Sequence, residues 1–415
     1  MKYLKNGIKS ACMFNFWFGP AYGGLMTAYA LKEVLETFNC QPLLADNRID
    51  IVKYLANKYT FTKNFYNEHF NISAAFSQFS NIIKENLENE IFITGSDQVF
   101  RPKYTSDLSM YLLDFANPSS KKIAFSASFG VEKEQFLIEN SPEIIEHMKN
   151  SLKSFDFISV REKSGVLICK DLFDIDAEWI IDPVFILEKE NYNRLIKNST
   201  INYKNKIVTY VLDTNKSYTK VYKFLSKKYN EKVIETANSD ISVENWLASI
   251  RDCDLFVTDS FHGMCFAIIF NKPFICIANK SRGRTRFESV CEMLGIENQC
   301  VDSINEVTQK DSVFKIDYKL VNERIIKERQ RGLDFIKKAL EDQVKVTQEK
   351  VDVRTKYLEH RIEELEEQNN LSYQLKNFLW EKCLIIHHCY LPDFIKSIII
   401  FFWHFIKGDK NACRK

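Results

Sequence analysis

The sequence predicts an α/β protein built from two alternating halves, with a helical extension at its C-terminal end. Three observations carry that prediction. Short apolar runs of strand length alternate with amphipathic helical stretches from Lys9 to Ile277. The alternation is interrupted by one polar stretch, Glu188 to Asn205, and from about Asp317 the composition turns to Glu, Lys, Gln and Arg at helical spacing. Strands that alternate with helices imply parallel sheets, and the interruption divides the chain near residue 190.

At 415 residues the chain is long enough for two domains with well-formed cores. Its 45% hydrophobic and 27% charged content is that of a soluble globular protein. A net charge of +2 gives no reason to expect nucleic acid. The 11 cysteines are odd in number and contain no C-x-x-C pair or metal-ligand cluster. They are therefore expected as free thiols of a reducing compartment, with no metal site. Cys253, Cys265 and Cys276 lie in or beside apolar runs, as small core residues do. Met1 to Ser10 leads into only a short apolar run and has no small-residue cleavage pattern, so no signal peptide is expected.

Taken in order, Lys9 to Phe16 reads as the first strand, W-F-G-P-A-Y-G-G (17–24) as a loop and Leu25 to Phe38 as a helix. Gly23 and Gly24 would let backbone approach a ligand at that helix start; a plain tight turn is the competing reading. Residues 47–90 read as polar, aromatic-rich and helical. Ile91 to Thr94 is a buried strand, and Gly95, Ser96, Asp97 and Gln98 form the loop at its end. Asp97 and Gln98 offer an acceptor and an amide suited to sugar hydroxyls, or else an Asx-turn. The K-I-A-F-S-A-S-F-G strand (122–130) ends in Ser126 and Ser128, and a helix follows from about Pro142 to Ser151. In F-I-S-V-R-E-K-S-G (157–165), Arg161 stands where an apolar strand ends. Its planar fork matches a carboxylate or phosphate, and an ion pair with Glu162 is the alternative. Asp182-Pro183 reads as a break.

The second half repeats the pattern: strand Lys206 to Leu212, helix Tyr218 to Tyr229, strand Lys232 to Glu235 and helix Ser242 to Arg251. It then reaches D-L-F-V-T-D-S-F-H-G-M-C-F-A-I-I-F-N-K-P-F-I-C-I (254–277), which reads as strand, loop, helix, strand. In a parallel sheet that loop faces the ligand crevice. Histidine titrates near neutrality, so His262 beside Asp259 and Ser260 is placed to pass protons; helix capping by Asp259 or Ser260 is the alternative. Lys280, Arg282, Arg284 and Arg286 crowd the next loop, as an anion site or as a solvated charge run.

Four of these segments together resemble the polysaccharide pyruvyl transferase family: T-D-S-F-H-G (258–263) with F-N-K-P-F-I after it, G-S-D-Q-V-F-R-P (95–102), Y-G-G-L-M-T-A-Y-A-L (22–31) and R-E-K-S (161–164). The resemblance covers about residues 12–300. It implies two Rossmann-like domains facing a cleft, the architecture of B-type glycosyltransferases. It also implies transfer of a ketal-forming pyruvyl group from phosphoenolpyruvate to a sugar of a cell-surface glycan, in exopolysaccharide or capsule biosynthesis. No cofactor is implied beyond phosphoenolpyruvate as co-substrate. The catalytic candidates are His262 as acid and Asp97 or Asp259 as base. The substrate-binding candidates are Arg161, Ser164, Ser260, Gly263, Arg284, Arg286, Gly23, Gly24, Gly95, Ser96, Gln98, Ser126 and Ser128. Ala21 stands where the family has Asn, which leaves the role of that loop open, and Ser260 stands where members often have Arg, so donor-phosphate binding is expected either to have moved to the 282–286 loop or to have been lost. A nucleotide-sugar glycosyltransferase and a non-catalytic membrane-surface scaffold are the alternatives.

The expected domains are 1–190, 191–316, a long polar helix with a weak coiled-coil seam over 317–375, and an amphipathic apolar tail over 376–415. In that seam Val344, Val351, Leu358 and Leu365 recur every seven residues. In the tail, Phe401, Phe402, Trp403 and Phe405 with Lys396, Lys407 and Lys410 fit a helix lying in a membrane interface; packing on the protein's own core is the alternative. The expected location is cytoplasmic, at the inner face of the cell membrane, with a glycan or lipid-linked sugar as acceptor. Homo-oligomer formation is left open.

Overall fold

The structure, a computed structural model, describes residues 9–17, 22–46, 60–76, 79–105, 107–197, 199–213, 216–237, 241–278, 283–301 and 316–383. The first half runs β1 (Lys9–Phe14), α1 (Tyr22–Thr37), β2 (Cys40–Asp46), α2 (Thr60–His69), β3 (Ile72–Ala75), α3 (Phe79–Glu88) and β4 (Ile91–Thr94). It continues with the short α4 (Leu108–Tyr111), β5 (Lys121–Ala127), α5 (Lys133–Glu139), α6 (Pro142–Lys153), β6 (Phe157–Val160), α7 (Lys163–Phe173), β7 (Glu178–Trp179), α8 (Pro183–Ile186) and α9 (Lys189–Ile196). The second half holds β8 (Lys206–Tyr210), α10 (Lys216–Tyr229), β9 (Lys232–Glu235), α11 (Val243–Asp252), β10 (Leu255–Thr258), α12 (Phe261–Ile269), β11 (Phe274–Ile277), α13 (Thr285–Leu294) and β12 (Cys300–Val301).

All named strand pairings are parallel, so the fold is α/β with two Rossmann-like sheets. The first sheet has the order β3-β2-β1-β4-β5-β6-β7 and the second β12-β11-β10-β8-β9. Chain direction across the first sheet reverses between β1 and β4, and across the second between β8 and β10. A crevice opens at such a reversal, outside the strands' carboxyl ends, because the connections there leave in opposite directions. Helices cover the sheet faces, and β4, β5, β10 and β11 are buried along their whole length, as parallel strands require.

Several expectations are corrected. The first strand stops at Phe14, and α1 begins at Tyr22, so Gly23 and Gly24 belong to the helix and not to the loop before it. The stretch read as all helical contains β3 between α2 and α3. The polar linker contains α9, whose Tyr192, Leu195 and Ile196 are buried. The polar arm expected from residue 317 is two helices, α14 (Tyr318–Glu341) and α15 (Gln348–Cys383). The break between them takes Val344 out of the expected seam. α14 is no free arm: Val321, Ile325, Phe335, Ile336, Ala339 and Leu340 are buried, and Phe335 stacks on Phe125 of β5 at 5.9 Å. Lys121 donates to Leu340 O (3.1 Å), capping the helix's C-terminal carbonyls with positive charge. The compact unit carrying both sheets extends to Tyr357, and a second unit begins at Leu358. Among the described residues no helix is long and apolar enough to cross a membrane. The apolar stretch from Leu384 onward lies outside the described residues.

Candidate active site

Charged side chains converge where the two reversal points meet. Arg161, the first residue beyond β6, has a side chain fully withdrawn from solvent. Its Nη1 donates to Asp182 Oδ2 (2.7 Å) and its Nη2 to Asp97 Oδ1 (3.0 Å). Glu162 Oε2 lies 3.9 Å from its Nε. The His262 Nε2 atom lies 3.6 Å from Asp182 Oδ2, and Ser96 Oγ donates to that same oxygen (2.8 Å). Arg286 approaches from α13, with Nη1 3.8 Å from Asp97 Oδ1. The ring of Phe261 lies under both guanidinium groups, 4.6 Å from Arg161 and 5.1 Å from Arg286. A ring's negative face offsets part of the repulsion between two cations held so close.

Each carboxylate here has a different electrostatic position. Burial opposes ionisation of Asp97, but Arg161, His262 and Arg286 outweigh it and hold the group below the usual carboxylate range. For Asp182, burial is likewise overcome, by the His262 ring beside it and by Arg161, and its pKa lies well below that range. Glu162 goes the other way, because burial outweighs Arg161 and pushes its carboxyl up. Burial and the neighbouring Arg161 bring Arg286 down to about 10, so it is the weaker of the two cations. For Arg161 burial is outweighed by Asp97, Asp182 and Glu162, which hold its pKa above the ordinary value. A site with two guanidinium groups, a histidine and carboxylates of unlike basicity can bind an anion and move protons.

Local backbone places these groups. Asp97 adopts a left-handed φ of 85°, uncommon for a residue with a side chain, and turns its carboxylate back to accept from its neighbour Gln98 N (2.9 Å). Glu162 Oε1 accepts from Phe129 N (2.7 Å) and Gly130 N (3.0 Å), fixing the turn after β5. A side chain at Gly95 would fall 2.2 Å from Asn15 Nδ2, so the loop after β4 closes onto the end of β1. Both polar atoms of Asn15 are buried without a hydrogen-bond partner among the described residues.

Of the expected site residues, Asp97, Ser96, Arg161, His262 and Arg286 come together. Gln98 is adjacent, accepting from Arg101 Nη1 (3.0 Å), and its Oε1 would lie 2.0 Å from a Cβ on Gly130. Others are engaged elsewhere. Asp259 accepts from Leu212 N (2.7 Å) and Asp213 N (3.0 Å), so it ties the β10 loop to the β8 loop across the second reversal; a carboxylate with both oxygens so occupied holds a loop rather than collecting a proton. Ser260 caps α12, accepting from Gly263 N (3.3 Å). A side chain on Gly263 would meet Thr258 Oγ1 at 2.6 Å, and one on Gly24 the Phe16 carbonyl at 1.8 Å, so these glycines permit close packing within the protein. Gly23 does the same for His262, whose Nδ1 would lie 2.1 Å from a Cβ there. Ser126 donates to the carbonyls of Ile180 and Ile181 (3.1 Å each) and so binds the strand end rather than a substrate. Ser128 is buried beside Glu162. Ser164 is buried in the first turn of α7, and its hydroxyl has no partner among the described residues. Arg284 pairs with Glu288 one turn along (2.5 Å) and is not brought into the cluster. Lys280 and Arg282 lie outside the described residues.

The model of the family "Polysaccharide pyruvyl transferase" matches residues 22–281, more than half of the chain and every residue of the cluster but Arg286. The chain belongs to the polysaccharide pyruvyl transferase family. No curated protein matches the chain. Similar solved structures include UDP-N-acetylglucosamine 2-epimerase from Rickettsia bellii, 12% identical, covering 80% of this chain and 98% of that one, with a TM-score of 0.47. Another is UDP-GlcNAc 2-epimerase from Neisseria meningitidis bound to UDP-GlcNAc (10% identical, 85% and 100% covered, TM-score 0.46). A third is sucrose-phosphate synthase from Thermosynechococcus elongatus (11% identical, 86% and 99% covered, TM-score 0.41).

Sequence reasoning missed three parts of this cluster. Asp182 passed as a chain break, although I-I-D has the same signature that marked Arg161: an apolar run ending in a charge at a strand's carboxyl end. Phe261 passed as an apolar neighbour of His262, and nothing in one sequence says that two arginines will share its ring. Asn15 follows β1 as Asp97 follows β4, and the polar residue after an apolar strand was again the available signal.

Proposed function

We propose that this transferase-family protein moves a pyruvyl group from phosphoenolpyruvate to a sugar of a cell-surface polysaccharide or its precursor, forming a cyclic ketal. The observation that supports this most is the Arg161–Phe261–Arg286 stack beside His262, Asp97 and Asp182 at the carboxyl ends of both sheets. Phosphoenolpyruvate carries a carboxylate and a phosphate, and two guanidinium groups sharing one ring offer a donor surface for both.

In the proposed reaction His262 gives a proton to C3 of the donor, leaving positive character at C2. A sugar hydroxyl attacks C2 and its hydrogen passes to Asp97, which is held ionised. The C2–O bond to phosphate breaks, the leaving phosphate taking the proton from Asp97, and a second hydroxyl of the same sugar attacks C2 to close the ring, its proton returning to His262. Asp182 touches neither substrate in this scheme; it holds His262 and Arg161 in register. We further propose that the acceptor is lipid-linked and that the apolar tail keeps the protein at the inner membrane face.

Phosphate release on incubation with phosphoenolpyruvate and glycan precursors tests the reading. Acceptor-dependent phosphate release that His262→Ala lowers about a hundredfold is expected. Turnover with nucleotide-sugars and none with phosphoenolpyruvate would replace it with glycosyl transfer.

A further inference from the structure

Charge is unevenly spread in this chain. Between Lys204 and Lys232 stand eight lysines against two carboxylates, Asp213 and Glu231, although the whole chain carries only +2. α10 holds Lys216, Lys220, Lys223, Lys227 and Lys228 and no acidic residue. Steps of three and four put Lys220, Lys223 and Lys227 in one row along the helix. These three and Lys228 are exposed, while Tyr218, Val221 and Leu225 bury the opposite face. At the foot of the helix, Lys206 and Lys232 are direct partners across β8 and β9, like charges set side by side. Such a pairing is destabilising by itself, and Glu231, which interacts with Lys206, offsets part of it. Glu231, half-buried, and Asp254, exposed, are the neighbouring carboxylates and do not balance the row.

Rings flank the lysines. Lys228 Nζ lies 5.8 Å from the Phe224 ring and 5.7 Å from that of Tyr229, and Tyr229 is exposed. A lysine beside an exposed amphipathic ring such as Tyr229 is what a headgroup layer accommodates, the ring entering the boundary and the ammonium staying with phosphate, while Phe224 packs on the second sheet's core.

We propose that the exposed face of α10 docks on the anionic headgroups of a lipid bilayer. A straight row on one rigid helix, with rings at its end, suits a flat charged surface better than a curved or threaded polyanion. The docking also has a consequence for the site. α10 begins just after the carboxyl end of β8, where Asp259 grips Leu212 and Asp213, so its first turn shares the crevice rim. A bilayer along α10 brings that rim to headgroup level, where a lipid-carried sugar is presented. That last step rests on the proposed function; the docking does not.

Co-sedimentation of the full chain with vesicles of phosphatidylcholine alone, or of phosphatidylcholine mixed with phosphatidylglycerol, tests the proposal by the preference for the anionic vesicles. Native protein is expected to prefer them about tenfold or more at low salt and to lose the preference at high salt. The combined variant Lys220→Gln, Lys223→Gln, Lys227→Gln, Lys228→Gln should lose most of that preference, with any binding driven by the tail left intact. The four-arginine counterpart, which keeps charge, should retain the preference and serves as the folding control. An undiminished preference in the glutamine variant overturns the proposal. So does native protein that ignores anionic lipid but binds a nucleic-acid duplex through these lysines.

Discussion

Arg161 has carboxylates on three sides and a ring beneath, and each neighbour constrains what may replace it. One guanidinium spans Asp182 and Asp97, at 2.7 and 3.0 Å. An ammonium reaches only one of them, so Arg161→Lys should raise the KM for phosphoenolpyruvate about tenfold while keeping the charge. An unchanged KM would return Arg161 to a structural role. Asp182→Asn removes the acceptor charge that His262 and Arg161 share. A fall in kcat of about a hundredfold with donor binding less affected is expected, and steady-state kinetics would separate the two. Lys122 gives a pH signature far from the site. It is fully buried, donates to Ser154 Oγ (2.9 Å), and burial pulls its pKa down to about 8. The unfolded chain holds that proton to a pH of about 10.4. Between these values the unfolded state binds more protons, so the folded state gains stability as pH rises. Lys122→Met should raise the melting temperature at neutral pH and flatten that rise in thermal scans; a melting curve with the native pH dependence would show that Lys122 is not its source.

Elements were legible to the extent that their signals are local. The strand-loop-helix around His262 has a buried strand, a serine cap and a helix stopped before Lys272-Pro273, all visible as pattern. The Arg161 strand end was visible for the same reason. What stayed hidden depends on partners distant in sequence. Gly23 looked like a place for backbone to approach a ligand, yet His262, from the other half, occupies the space its missing side chain leaves. α14 looked like a solvated arm because its charged residues outnumber its apolar ones, yet the apolar ones share a face and lie against the first sheet's helices and strands. Arg329 Nε even donates to Phe185 O of α8 (3.2 Å). Five of its buried apolar side chains are larger than alanine. At about 1.5–3 kcal/mol each they rival the net stability of a domain, about 5–15 kcal/mol. Truncation after Ile316 should therefore leave an insoluble chain, whereas truncation after residue 375 should leave a folded one that acts on water-soluble acceptors. Soluble, cooperative unfolding of the shorter fragment in circular dichroism would contradict that account.

The halves meet through more than the charged cluster. Lys163 N donates to Ser289 Oγ (3.0 Å), Tyr22 Oη to Ile241 O (2.9 Å), and the Tyr22 ring stacks on Trp246 at 4.8 Å. Arg161, Asp182, His262 and Arg286 are at most 6% exposed as a result. The described walls leave a donor with two anionic groups and a sugar on its carrier little room at these four side chains, while Asp97 keeps 19% of its side chain exposed. Under the proposed reaction, each round of transfer must begin and end with the halves parting, so traffic through the seam competes with bond making as the slow event. A turnover number that falls in proportion to solvent viscosity as sucrose is added would mark traffic as limiting, and one indifferent to viscosity would mark chemistry. Ser289→Ala, which releases one latch, should quicken amide exchange in α12 and α13 severalfold without moving the melting temperature by more than a few degrees. What reads in a static picture as a tightly satisfied ion cluster is, for a substrate, a toll on entry and exit.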